Sequence, residues 1–230
     1  MTHTLHREGS DESLKDDYLL LITPAMKFND KGAAEKIKKL IDVVFDVGPT
    51  NYGCYEKGRS ILAGLDDAQS IKDVTKDNSR IRCVFDSKEK FKEVIRRIVK
   101  ADLGLSVALT GLQSSIKEVL DELNIDAHSI NIAMGTYGKT GILPDENFRM
   151  LTTMCGHGMI SPNLVKDVIV KIKRKRISVK EAAIILSKPC VCGVFNQERA
   201  ARLLEKFIPL YTIQDKVKFT DLIFRKEGGG

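Results

Sequence analysis

At 230 residues, with 43% hydrophobic and 30% charged side chains, the chain has the composition of a soluble globular protein with one main domain and a smaller appendage. Its longest apolar runs fall well short of the ~20 residues a bilayer span needs, and its polar, mixed-charge start resembles neither a secretory signal nor a transit peptide, so a cytoplasmic protein without membrane contact is expected. A net charge of +6 admits an anionic partner without requiring one, and five cysteines, an odd number, argue for reduced thiols over a disulfide framework.

Residues 1–17 read as a flexible lead-in. "DYLLLITPAM" (17–26) is a continuous apolar run stopped by Pro24, the pattern of a buried strand. A helix follows, with Ala34, Ile37, Leu40, Ile41, Val44 and Phe45 at helical spacing and Gly48 as its stop. Residues 49–79 read as loop. "RIRCVFD" (80–86) is a strand by its alternation of Ile81, Cys83 and Phe85 with Arg82 and Val84, which places Cys83 in a core. A helix capped at Asp86 or Ser87 carries Phe91, Val94, Ile95 and Ile98 on one face. "GLSVALTG" (104–111) is a further strand, a helix on Ile116, Val119, Leu120 and Leu123 comes next, and "HSINIAMGTYG" (128–138) alternates Ile130, Ile132 and Met134 as a fourth strand would.

This order predicts an α/β fold: a sheet of about four strands alternating with helices in an α/β sandwich over 18–150, its direction less certain. A mainly helical, cysteine-bearing subdomain is expected over 151–208, with helices starting at Ser161-Pro162, at a Ser178–Glu181 capping box and after Asn196. Residues 209–230 read as a tail.

Chemistry is concentrated in two stretches. "TMCGHGMIS" (153–161) holds Cys155, Gly156, His157 and Gly158, and "KPCVCGVF" (188–195) holds Cys190, Cys192 and Gly193. At ~1.5 Å per residue the two intervening helices span about 20 Å and about 14 Å, and the turn between them only reverses the chain, so Cys155 should reach Cys190 and Cys192. Glycines let backbone N–H groups approach sulfur, and nearby helix starts favour thiolate.

Three thiolates and an imidazole suit an iron–sulfur cluster, expected as 4Fe-4S because Cys-x-Cys can serve two irons of one cube, with His157, Cys54, a substrate or a small thiol at the remaining iron. A Cys₃His zinc site is the alternative, and the plain alternative is three buried cysteines acting as small hydrophobes. Lys139, in the polar loop "MGTYGKTG" (134–141), would hold the anionic group of a substrate. The expected function is an iron–sulfur protein of anaerobic metabolism, serving electron transfer, sulfur handling or metalloenzyme maturation beside a redox or metalloenzyme partner. A zinc-stabilised module contacting RNA or an acidic protein competes with it, through the basic run "KIKRKRISVK" (171–180), as does a thiol enzyme with Cys155 as nucleophile. For the run itself, a solvated helix end is preferred to a nucleic-acid site.

Overall fold

A computed structural model describes residues 7–62 and 64–212. Five strands, β1 (Tyr18–Thr23), β2 (Asn51–Cys54), β3 (Arg59–Ile61), β4 (Ile81–Phe85) and β5 (Ser106–Thr110), form one sheet in the order β3-β2-β4-β1-β5. Every neighbouring pair is antiparallel. Helix α1 (Asp11–Leu14) precedes β1, and α2 (Ala33–Val47), α3 (Ala68–Lys72), α4 (Lys88–Ala101) and α5 (Gln113–Glu122) are interspersed. The chain then becomes helical, with α6 (Glu146–Thr152), α7 (Pro162–Lys173), α8 (Val179–Ser187) and α9 (Gln197–Phe207).

Strand and helix alternate here without making a parallel sheet, because each long crossover skips a place. Helix α2 joins β1 to β2 and α4 joins β4 to β5; in both cases the two joined strands are parallel to one another with an antiparallel strand between them.

The helix ends follow the side-chain signals. Ser87, Ser161 and Asn196 each accept from a first-turn amide, Ser178 and Glu181 form the reciprocal capping box, Pro162 sits in the first turn of α7, and Gly48 ends α2 in the left-handed conformation.

The period of two along the strands divides two cores. Tyr18, Leu20, Ile22, Tyr52, Cys54, Ile81, Cys83 and Phe85 pack with Ile37, Leu40, Ile41 and Val44 of α2 and Phe91, Val94, Ile95 and Ile98 of α4. Leu19 and Val84 project to the other side and join the core of α6–α9. Strand β1 is therefore buried on both faces, which is why its sequence is apolar without interruption.

Three expectations are corrected. Residues 49–79 contain a hairpin, β2–β3, turned at Tyr55–Gly58 with Gly58 at φ +64. Its strands are four and three residues long and one contains a glycine, so the alternation is too short to read. Residues 128–138 form no strand: Ile130, Ile132 and Met134 are 65%, 67% and 80% exposed. Alternation makes a strand only where a neighbour accepts the ladder, and β5 takes no partner from this segment. Within the expected lead-in, residues 7–17 carry α1 and a buried ion-pair network, in which Asp17 receives Arg7 at 2.6 Å and Arg199 at 3.2 Å. The expectations for 1–6 and 213–230 lie outside the described residues. Among the described residues no helix is long and apolar enough to cross a membrane.

Burial raises the Cys83 thiol far above its ordinary value near 9, and Tyr52 likewise above its own near 10. Both groups are held neutral in the folded state, so their contribution is fully present below the unfolded-state pKa and is lost as pH rises past it. Stability should therefore fall above about pH 9 by about 1.4 kcal/mol per pH unit for Cys83, with Tyr52 adding above about pH 10. Urea unfolding at stepped alkaline pH should show a slope shallower by about one proton in Cys83→Ala; an unchanged slope would contradict this assignment.

Candidate metal centre

Cys155 follows α6, while Cys190 and Cys192 lie between α8 and α9, and the α7–α8 hairpin brings the two loops together. All five cysteines are free thiols, and Cys155, Cys190 and Cys192 are buried in the core of α6–α9. The sulfurs of Cys190 and Cys192 stand 3.5 Å apart, and His157 Nδ1 lies 3.6 Å from the Cys192 sulfur. Cys155 is buried in the same core and interacts with both other thiols. Two of the six contacts that a tetrahedral set of these side chains would make are thus present as close sulfur–sulfur and sulfur–nitrogen approaches.

The amide donors come from the loops themselves. His157 and Met159 offer backbone N–H groups to Cys155, and Val194 offers one to Cys192. Each donor directly follows a glycine, namely Gly156, Gly158 or Gly193, and two of these, Gly158 and Gly193, have positive φ. The two neighbouring thiols, and after them these amides, draw Cys155 well below the ordinary thiol range. Interaction with Cys155 pushes Cys190 and Cys192 up.

The cysteine loop is seated on the sheet by a backbone-to-backbone contact. A Cβ on Gly53 of β2 would fall 2.0 Å from the Cys192 carbonyl carbon, and one on Gly193 would fall 2.0 Å from the Gly53 nitrogen. Only glycine fits at either place. Asn51, also on β2, donates from Nδ2 to the Phe195 carbonyl at 3.1 Å, and Arg7 donates to the Val194 carbonyl. The cap of α9, Asn196, donates to Asp17 at 3.0 Å, so the buried network ends where the loop ends.

Not every expected residue joins the group. Cys54 is corrected: it shares its strand face with Tyr52, in the core under α2 and α4, on the opposite side of the sheet from Cys192. Its partners are the amides of Glu56 and Lys57 and the Glu56 carboxylate at 3.5 Å. Lys139 stands on the exposed segment 126–143, while the partners of the three sulfurs are one another, His157 and loop amides. His157 itself is exposed, so the group is closed by sheet and helices on its sulfur side and reaches solvent at the imidazole.

Two neighbours were not anticipated from sequence. Arg82 is 5% exposed, and its guanidinium carbon lies 3.9 Å above the Tyr55 ring. Burial raises the Tyr55 hydroxyl, and negative charge at Cys192, Cys190 and Cys155 adds to the rise. The signal was an arginine in the middle of an otherwise apolar strand covered on both faces.

A tetrahedral zinc ion with Zn–S of about 2.3 Å and Zn–N of about 2.0–2.1 Å spaces its sulfurs about 3.8 Å apart and sulfur from nitrogen about 3.6 Å. Among the described residues no group of three or more His, Cys, Asp or Glu side chains is arranged so that it could hold a metal ion. The observed separations nevertheless lie within a few tenths of an ångström of the single-ion values. Comparison with protein-family models, curated proteins and solved structures finds no match for this chain.

Gly53→Ala should cost at least about 2–3 kcal/mol, because the added carbon forces the cysteine loop off β2. The thiols of Cys190 and Cys192 should then react faster with a thiol reagent. Gly141→Ala, where the added carbon meets nothing, should change neither stability nor thiol reactivity. Equal behaviour of the two variants would remove the seat from the account.

Proposed function

We propose that the chain is a metal–thiolate protein in which Cys155, Cys190, Cys192 and His157 hold one zinc-type divalent ion, and that it acts as a binding module whose helical region this ion fastens to the sheet. The spacing of the donor atoms, 3.5 Å between sulfurs and 3.6 Å from sulfur to imidazole nitrogen, carries this reading. Thiolates on separate irons of a cube are held further apart, because an iron–iron edge and two metal–sulfur bonds intervene. Closure of the sulfur side against water is the habit of structural zinc, and the solvent-facing imidazole is the ligand that exchanges most readily.

The binding surface on this reading is the basic end of α7. Arg174, Lys175 and Arg176 are exposed there, following Lys171 and Lys173 in the last turn. These side chains lie in the hairpin between the two cysteine loops, so an ion that stiffens the loops also stiffens the platform. A polyanionic partner, RNA or an acidic protein, fits this surface.

An iron–sulfur cluster is the second reading, favoured by the loop amides directed at two of the sulfurs. Metal and sulfide analysis after oxygen-free purification separates the two. The first reading expects about one zinc per chain, no labile sulfide, and loss of the metal in Cys155→Ala; labile sulfide with broad visible absorbance would replace it with the second. For the binding surface, affinity for an RNA or heparin probe should fall steeply with salt, and neutralising Lys173, Arg174, Lys175 and Arg176 should flatten that dependence. Binding insensitive to both salt and these substitutions would reject the platform.

A further inference from the structure

The antiparallel register of β2 and β4 pairs Asn51 with Val84 and Tyr52 with Cys83. Continued by one residue, it sets Gly53 beside Arg82. Gly53 is the residue whose missing side chain admits the Cys192 backbone, so Arg82 leaves the sheet on the same face, next to the cysteine loop. Its neighbours on that face are Leu21 of β1, directly across the ladder, and the Tyr55 ring.

The guanidinium is buried, and its Nε and Nη1 have no hydrogen-bond partner among the described residues. Glu56 is the nearby carboxylate, but one of its oxygens accepts from Ser79 and the other faces the Cys54 thiol. A buried cation whose Nε and Nη1 are unpartnered, with only the Tyr55 ring over it, is unfavourable, and an apolar side chain would fill the place better. The cost is removed if the neighbouring group carries negative charge. Three thiolates and a neutral imidazole around a divalent ion leave one net negative charge.

We propose that Arg82 is the counter-charge of the metal–thiolate centre, a positioning residue that stabilises the three-thiolate form. The proposal rests on the reading of Cys155, Cys190, Cys192 and His157 as ligands. It gives Arg82 an effect on metal affinity that a merely space-filling residue lacks.

The test compares wild type with Arg82→Met for zinc affinity, by competition with a chromophoric chelator, and for melting temperature with zinc and with a chelator in excess. Arg82→Met should bind zinc about tenfold or more weakly. Its melting temperature should fall further below wild type when loaded than when metal-free. Unchanged zinc affinity overturns the proposal, as does an equal drop in melting temperature in both states, which would make Arg82 a packing residue only.

Should Arg82→Met fail to fold, Arg82→Lys and Arg82→Gln carry the same comparison, and equal affinity in those two overturns it. Failure of wild type to bind zinc overturns both this proposal and the metal-centre reading beneath it, an outcome distinct from normal wild-type binding that Arg82→Met leaves intact.

Discussion

The close approach of Gly53 and Gly193 is the contact on which the arrangement depends. Two backbones meet where neither can carry a side chain, one in a strand of the sheet and the other in the loop that bears Cys190 and Cys192. The contact fixes the height of that loop above the sheet. The α7–α8 hairpin then delivers Cys155 from the other end, and Asn51, Arg7 and Asn196 hold the loop carbonyls and the start of α9 in place. Loops are usually the adaptable part of a fold; this one is held from both sides.

Charge is distributed around the seat with the same economy. Asp17, at the head of β1, is buried between Arg7 and Arg199, a fully partnered group of the kind a protein interior tolerates. The thiol group is different. Its sulfurs meet one another, His157 and loop amides, and the buried Arg82 guanidinium on the same sheet face has two unpartnered nitrogens. One network is complete within the chain. The other is completed, on the proposed reading, by the metal–thiolate centre beside it.

The sequence carried most of what local patterns can carry. Helical spacing in α2 and α4, the caps at Ser87, Ser161, Ser178 and Asn196, and the alternation around Cys83 all correspond to structure, since each depends on residues within a few positions of one another. The meeting of Cys155 with Cys190 and Cys192 was also legible, because a short turn between two helices of known rise allows little else. What failed depended on distant neighbours. Ile130, Ile132 and Met134 have a strand's pattern and no strand to pair with, whereas β2 has two strand partners in space and too short a pattern to show it. Cys54 resembled the other loop thiols until the strand's parity placed it beneath the sheet. The need for glycine at position 53 has no local signature at all, since the atom that excludes a side chain belongs to a residue more than a hundred positions away.

The most direct test of the central claim is X-ray absorption at the zinc edge on protein purified without added metal or oxygen. A first shell of three sulfurs at about 2.3 Å and one nitrogen at about 2.0–2.1 Å, with no heavier scatterer behind it, is the result predicted for Cys155, Cys190, Cys192 and His157. An iron edge with iron–iron scattering, or a zinc shell of oxygen and nitrogen alone, would contradict the single-ion thiolate centre.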